Sequence, residues 1–295
     1  MSSVEQHLAT RRSAGLFDFS FMGLYEFEGL ASIQRLQTRR VENLEPGQIT
    51  YTLLLKEDGA VLIDATVWRM DADRFWLFAG RRSSTYGGRD RSGEYTIVAL
   101  QGPASGRILS RLIGVDAVRG LHYFHFLETG NLIVARVGYT GELGYELLVP
   151  AADAPALRQT LLEAGRNEDL GECGWAAADS LRIEAGYVLF DREIDGRANP
   201  RELGLDRLAP GKNFEVTRRL AGLEILDERG RADLPAGKVT SECFSPTLGK
   251  TLALGFVSAQ IGAGSAVQLA DGRIARVATL PFYDPQRRRP RDHPL

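Results

Sequence analysis

Three charged residues occupy positions where a charge is costly unless it has a binding partner. Glu146 lies inside the strand-like segment YELLV, Asp64 follows an apolar run in AVLIDATVW, and Arg182 lies in the helix-like segment DSLRIEAG. An ionised side chain loses much of its hydration energy when it is buried, and it needs hydrogen-bonding partners in compensation. Each of the three is therefore either exposed to water or a candidate for binding a polar ligand.

The alternation of residues around Glu146 leaves both interpretations open. Tyr145, Leu147 and Val149 share one face of the predicted strand, and Glu146 shares the other face with Leu148. On an edge strand, the carboxylate would be exposed to water. In a buried strand, it would instead accept hydrogen bonds from a heterocyclic ligand, because two carboxylate oxygens match a pair of N–H donors.

Asp64 and Arg182 also have ordinary alternatives. Asp64 has apolar neighbours on both sides, which favours burial, but an aspartate at a strand end is commonly a cap or a turn former. Asp179 and Arg182 lie on one face of the predicted helix because they are three residues apart. Arg182 therefore either forms a local ion pair or offers its planar set of donors to a carboxylate or carbonyl group of a ligand.

The overall charge disfavours several classes of protein. The net charge is −2 over 295 residues, a balance that is not typical of proteins that bind nucleic acid or anionic membranes. No apolar run reaches the roughly 18 residues that span a bilayer. Glu5, Arg11, Arg12 and Asp18 interrupt the region where a signal peptide would be apolar. We therefore expect a cytoplasmic protein with no nucleic-acid partner and no membrane partner.

Cysteine and histidine give no indication of a metal site or a disulfide framework. The two cysteines, Cys173 and Cys243, are far apart in sequence and form no CxxC motif. His122 and His125 lie in a strand-like, aromatic segment, where residues three apart face opposite sides. We expect no metal ligands here.

The order of predicted elements indicates an α+β fold. Strands at 23–29 and a hairpin at 49–70 precede two helices at 153–165 and 174–186, which end at glycines. After about residue 205 the pattern changes to short strands and turns, as in an all-β module. The segment 80–94 is rich in Gly, Ser and Arg, which predicts a mobile loop.

Taken together, the chain resembles the aminomethyltransferase family, which comprises the T-protein of the glycine cleavage system and its folate-dependent relatives. The resemblance extends from about residue 11 to 283. It is carried by eight segments in the order found in the family: AGLFDFSFMG (14–23), PGQITYTLLLKEDGAVLIDATVW (46–68), ALQGPAS (99–105), RVGYTGELGYELLVP (136–150), ADSLRIEAGYVLF (178–190), NPRELGLDRL (199–208), VTSECFSPTLGKTLALGFV (239–257) and LPFY (280–283).

The resemblance implies an α+β fold of three domains in a cloverleaf ring, the last of them a β-barrel-like domain. Residues 1–205 would form the folate-binding region as two interwoven α+β domains. Residues 206–284 would form the C-terminal β-barrel. Residues 285–295, basic and proline-containing, are expected to be a disordered tail.

The resemblance also implies the cofactor and the roles of the charged residues. Tetrahydrofolate would be bound by Tyr139, Glu146 and Arg182, and Asp64 corresponds to the catalytic aspartate of the family. The implied activity is transfer of a methyl or aminomethyl-type unit to N5 of tetrahydrofolate. The donor would be a small molecule or a carrier protein to which the unit is bound.

Several positions depart from the family pattern. The first acid of the family's acidic pair is Ile63, Gly80 replaces an Asn, Phe21 replaces a His, and the segment 82–94 is shorter than usual. These changes favour a specialised relative that acts on a different N-, O- or S-linked one-carbon donor. The alternative function is a non-catalytic folate-binding protein, or a divergent small-molecule-binding protein, of the same fold.

Overall fold

The computed structural model describes residues 1–229 and 234–295. Its helices are α1 Ser3–Arg12, α2 Leu30–Leu36, α3 Ser105–Ile113, α4 Val115–Gly120, α5 Ala154–Ala164 and α6 Trp175–Glu184. Its strands are β1 Gly15–Asp18, β2 Gly23–Glu28, β3 Ile49–Leu55, β4 Val61–Arg69, β5 Arg74–Ala79, β6 Arg89–Asp90, β7 Tyr95–Gln101, β8 Phe126–Thr129, β9 Leu132–Ala135, β10 Gly144–Pro150, β11 Gly171–Glu172, β12 Arg218–Arg229, β13 Ala236–Ser245, β14 Lys250–Ser258, β15 Ala266–Leu269 and β16 Arg273–Ala278.

The strands form two open sheets and one closed barrel. The six-stranded sheet has the order β11-β1-β7-β10-β9-β8, the five-stranded sheet has the order β3-β4-β5-β2-β6, and the barrel has the order β12-β14-β13-β15-β16. The chain begins the six-stranded sheet with β1, builds the five-stranded sheet, and returns with β7. The predicted α+β class and the C-terminal barrel are confirmed.

The hairpin of β3 and β4 places Asp64 by its register. Leu53 pairs with Asp64 and Tyr51 pairs with Thr66, so Tyr51 and Asp64 lie diagonally on the same face of the sheet. The neighbouring Ile63 points to the opposite face, where it is fully buried in an apolar cluster. An isoleucine at position 63 therefore contributes to the core and leaves the face that carries Asp64 unchanged.

Strand β10 lies in the middle of its sheet, between β7 and β9. Glu146 pairs with Ala99 on one side and with Ala135 on the other. The edge-strand interpretation of Glu146 is therefore excluded. The two flanking alanines are small, and they leave the space above the sheet to the glutamate side chain.

The turn before β10 needs glycine because the chain packs against the buried amide of Gln101. A Cβ atom at Gly138 or at Gly144 would collide with that amide group. Gly141 adopts a φ of +79°, which favours glycine over other residues. The side chain of Gln101 in turn donates to the backbone oxygens of Val137 and Tyr145, so it fixes both ends of this turn.

The segment 80–94 is more ordered than its composition suggests. It contributes β6, which pairs with β2, and its residues Tyr86 and Ser92 are buried. The hydroxyl of Ser92 accepts the backbone N–H of Leu24 at 2.9 Å. Local composition carries no information about these long-range contacts, so a segment rich in Gly, Ser and Arg gave no sign of the strand and the buried residues within it.

The C-terminal residues 285–295 also differ from the expected disordered tail. Pro290 and Pro294 are buried, and the backbone oxygen of Asp292 accepts a hydrogen bond from Arg136 at 2.5 Å. Two proline rings and the backbone oxygen of Asp292 make these contacts. The basic composition of the segment therefore gave no sign of its packing.

The strand-like interpretation of residues 121–128 is confirmed for 126–128, which belong to β8, and was wrong for 121–125. Phe124 has a φ of +61°, which interrupts an extended strand, and the rings of His122 and His125 lie 5.6 Å apart. Within residues 1–229 and 234–295, no cluster of three or more His, Cys, Asp or Glu side chains could hold a metal. Over the same residues, the helices are too short or too polar to cross a membrane.

Candidate functional site

A cavity of about 540 Å³ lies where the two sheets and the barrel meet. Its wall includes Asp64 from the five-stranded sheet, Glu146 from the six-stranded sheet, and Leu220 from the barrel. The loop 186–190 after α6 forms a further part of the wall. The volume is typical of small-molecule sites, and such sites commonly lie between domains.

Asp64 is held at the cavity by a tyrosine on the neighbouring strand. The hydroxyl of Tyr51 donates to Oδ2 of Asp64 at 2.8 Å. Burial raises the pKa of Asp64, the hydrogen bond from Tyr51 opposes that rise, and the negative charge of Glu193 adds to it. One donor therefore orients the carboxylate of Asp64, which lies near the like charge of Glu193. A carboxylate held in this way stabilises a positive charge that develops beside it.

Glu146 is buried, with 8% of its surface exposed, and it borders the same cavity. No hydrogen-bond donor among the described residues reaches its side chain, and burial raises its pKa to about 7. A buried carboxylate without donors is unfavourable in its ionised form. A ligand that donates N–H hydrogen bonds to Glu146 would therefore stabilise the ionised carboxylate.

Tyr139 contributes an aromatic surface to the cavity. Its hydroxyl donates to the backbone oxygen of Val188 at 2.6 Å, and its ring stacks on that of Tyr187 at a centroid distance of 6.0 Å. The hydrogen bond connects the glycine-rich turn to the loop 186–190. Both rings face the cavity, where they can pack against a planar ligand.

Arg182 lies behind the cavity wall and is not one of its lining residues. Its guanidinium group donates to Asp179 (2.8 Å), to Glu193 (2.8 Å), to the backbone oxygen of Tyr187 (3.0 Å) and to the hydroxyl of Ser241 (2.7 Å). The predicted ion pair with Asp179 is present. These contacts favour a positioning role, since Arg182 connects α6, the loop 186–190 and the barrel.

Glu193, like Arg182, connects the loop 186–190 to the barrel. It is fully buried, and it accepts hydrogen bonds from Ser241 at 2.7 Å and from the backbone N–H of Leu189 at 2.9 Å. The loop 186–190 is therefore fixed at Tyr187 by Arg182 and at Leu189 by Glu193. A wall of the cavity depends on this buried ion pair.

The space beside Gly80 is filled by Phe190. A Cβ atom at position 80 would lie 2.6 Å from Cδ1 of Phe190, so a larger residue there would displace the ring. Phe21 lies against Phe190 and against Trp175, with centroid distances of 6.4 and 5.3 Å. Phe21 and Trp175 are more than two-fifths exposed, and they form an aromatic rim beside the cavity.

The structure brings three of the four predicted site residues together, and their roles stay predictions. Asp64, Tyr139 and Glu146 line one cavity, and Arg182 stands one layer behind it. Tyr51 was missed, although the hairpin pattern carried a signal, because residues diagonal to an acid on a paired strand are its natural hydrogen-bond partners. Tyr187 and Glu193 were also missed, and their contacts span elements that no local pattern connects.

Comparisons with known proteins agree over nearly the whole chain. Residues 1–212 match the family model described as GCVT N-terminal domain, and residues 218–284 match the glycine cleavage T-protein C-terminal barrel domain. Aminomethyltransferase from Symbiobacterium thermophilum is 36% identical over 342 residues, covering 98% of this chain and 91% of that protein. Aminomethyltransferase from Thermosynechococcus vestitus is 35% identical and covers 98% and 89%.

A solved structure gives the same result at the level of the fold. The crystal structure of glycine cleavage system aminomethyltransferase T from Bartonella henselae superimposes with a TM-score of 0.82 at 27% identity. The superposition covers 96% of this chain and 90% of that one. The two sheets and the barrel are therefore shared with a solved relative.

Proposed function

The chain belongs to the glycine cleavage T-protein family of aminomethyltransferases, and on that premise we propose that its cavity transfers a one-carbon unit from a donor to N5 of tetrahydrofolate. Transferase chemistry and the use of tetrahydrofolate follow from this membership, as the sequence predicted. The donor and the roles of individual residues are the parts that we add.

One observation supports the proposal most strongly: Asp64 and Glu146, from different sheets, border the same cavity. A reduced pterin carries several N–H donors along one edge, and Glu146 is a buried acceptor with no donor of its own among the described residues. Hydrogen bonds to an ionised carboxylate are stronger than those between neutral groups. Glu146 therefore fits the role of the group that binds and orients the pterin.

Asp64 fits the catalytic role because it is a second, separately held carboxylate. Tetrahydrofolate, when bound, supplies the nitrogen that accepts the carbon unit. Asp64 would stabilise the positive charge that develops during transfer, or orient the amine of the donor. Tyr51 keeps its carboxylate in one orientation, so little reorganisation is needed when that charge appears.

Tyr139 and Arg182 complete the proposed binding site in different ways. The ring of Tyr139 would pack on the ligand directly, since it lines the cavity. Arg182 would act through the loop 186–190, whose backbone it holds at Tyr187. A direct contact between Arg182 and folate remains a prediction from the family resemblance.

One assay identifies the class of one-carbon donor from the folate product that each candidate donor yields. The protein is incubated with tetrahydrofolate and, separately, with an aminomethyl-loaded carrier protein, methylated amines, aryl methyl ethers and sulfonium compounds. Mass spectrometry then distinguishes 5,10-methylene-tetrahydrofolate from 5-methyl-tetrahydrofolate. We expect one of these products from at least one donor class.

The variant Asp64→Asn connects the product to the site. Turnover should fall by about 100-fold, as when a charge-stabilising group is removed, while tetrahydrofolate affinity changes by less than about threefold. Asp116→Asn, at an exposed position on α4, should retain full turnover. Binding of tetrahydrofolate without any product, from any donor, would instead identify a folate-binding protein without catalysis.

A further inference from the structure

The C-terminal segment 284–295 forms one wall of the cavity. Arg287, Pro290 and Arg291 are lining residues, although they lie beyond the last strand of the barrel. The segment is held in place by the hydrogen bond from Arg136 to the backbone oxygen of Asp292. A Cβ atom at Gly106 on α3 would collide with the backbone oxygen of Pro294, so the chain end packs closely against that helix.

Two arginines of this wall have no acidic partner among the described residues. The guanidinium carbon of Arg287 lies 5.5 Å from the ring centre of Tyr187, and that of Arg291 lies 5.8 Å from the ring centre of Tyr123. Both tyrosines line the cavity. Arg289 of the same segment differs, because it turns away to Glu142 at 3.9 Å.

The local charge around the two arginines is mainly positive. Burial raises the pKa of Tyr187, and the positive charges of Arg287, Arg11 and Arg291 oppose that rise. Asp284 is the nearby acid, and its carboxylate accepts the backbone N–H of Arg289 at 2.8 Å. The guanidinium groups of Arg287 and Arg291 thus keep their donors available at the cavity wall.

The charges that line the cavity are segregated by type. Its acidic residues are Asp64 and Glu146, and its basic residues within the described chain are Arg287 and Arg291. The two carboxylates repel an anionic group on a ligand, and the two arginines attract it. A ligand with N–H donors at one end and carboxylates at the other would satisfy both pairs at once.

We propose that Arg287 and Arg291, together with Tyr123 and Tyr187, form a subsite for a carboxylate group of the bound ligand. The planar guanidinium group binds carboxylates with two parallel hydrogen bonds. This inference rests on the proposed function, in which the glutamyl end of tetrahydrofolate supplies the carboxylates. A carboxylate on the one-carbon donor is the other source of the same chemistry.

Calorimetric titration with two reduced folates tests the subsite. The ligands are tetrahydrofolate and tetrahydropteroyl amide, in which a neutral amide replaces the glutamyl group so that no carboxylate remains. The proteins are the wild type, the double variant Arg287→Gln/Arg291→Gln, the two single variants, and Arg288→Gln. Arg288 is an exposed neighbour that does not line the cavity, so it serves as the matched control. Thermal unfolding of each variant checks that its fold is retained, and the two single variants should show intermediate effects.

We expect the wild type and Arg288→Gln to bind tetrahydrofolate at least tenfold more tightly than tetrahydropteroyl amide. The double variant should bind both ligands alike, at the affinity of the wild type for tetrahydropteroyl amide. If the wild type binds both folates equally and glutarate binds the wild type but not the double variant, the carboxylate belongs to the donor and the subsite stands. Equal binding of both folates by every protein, without glutarate binding, overturns it.

The same titration separates failure of the subsite from failure of the proposed function. A wild-type protein that binds neither reduced folate contradicts the proposed function itself. A wild-type protein that binds both folates equally leaves folate binding intact and removes the folate tail as the source of the carboxylate.

Discussion

Tyr51 and Asp64 lie diagonally across the hairpin of β3 and β4, and the tyrosine hydroxyl donates to Oδ2 of the aspartate at 2.8 Å. Both residues belong to one hairpin, so strand pairing within that hairpin sets their distance. Because the hydrogen bond lowers the pKa of Asp64 against the effect of burial, Tyr51 helps to keep the carboxylate ionised.

Replacement of Tyr51 by Phe should move the pH dependence of turnover. Loss of the hydrogen bond raises the pKa of Asp64 further, so the acidic limb of the kcat profile should move upward by about one to two pH units. The matched control is Tyr145→Phe, which removes a buried hydroxyl that has no partner among the described residues and does not line the cavity. An unchanged limb in Tyr51→Phe would show that Asp64 does not need this donor.

Glu146 should make the stability of the ligand-free protein depend on pH. Its folded pKa of about 7 is raised above the ordinary value of 4.5, so its favourable contribution is present below about pH 4.5 and is lost as the pH rises through 7. Glu146→Gln should therefore be more stable than the wild type at pH 8, by up to about 3 kcal/mol, and similar to it at pH 4. Chemical denaturation at both pH values measures the difference, and equal differences at the two values would contradict the assignment.

The elements that carry these residues were largely predictable from sequence. The hairpin that positions Asp64 was evident from two strand-like runs joined at KEDG, and the helix of Arg182 was evident from its spacing and its terminal glycine. In both cases the pattern is local and strongly periodic. The burial of Glu146 was not predictable, because alternation alone cannot distinguish a central strand from an edge strand.

The rest of the site depends on contacts between distant parts of the chain. Ser241 is 59 residues from Arg182, and Glu193 joins them across α6 and the barrel. The C-terminal segment was expected to be disordered because arginine and proline dominate it. It packs nonetheless, through buried prolines and a backbone oxygen that Arg136 binds.

The buried ion pair of Arg182 and Glu193 should be important for stability. Arg182→Ala would leave Glu193 buried without its cationic partner, and we expect a loss of about 3–5 kcal/mol in the free energy of unfolding. Arg81→Ala is the matched control, because its ion pair with Asp191 is exposed and should contribute less than about 1 kcal/mol. Similar losses in the two variants would show that Arg182 does not act as a buried connection.

Gly80 and Phe190 should behave as a coupled pair. Gly80→Ala places a methyl group against the ring of Phe190, and such overpacking costs about 1–3 kcal/mol of stability. The cost should disappear when Phe190→Ala is combined with it, which a double-mutant cycle would measure. Gly93→Ala, with no atom within 4 Å of the added methyl group, serves as the control. Additive effects at positions 80 and 190 would argue against the contact.

The most direct test of the account is calorimetric titration of tetrahydrofolate into the wild type and Glu146→Ala at pH 8, where the carboxylate is ionised. We predict saturable binding by the wild type and at least tenfold weaker binding by the variant, equivalent to about 1.4 kcal/mol. Absence of binding by the wild type, or equal affinities of the two proteins, would contradict the claim that this cavity binds reduced folate through Glu146.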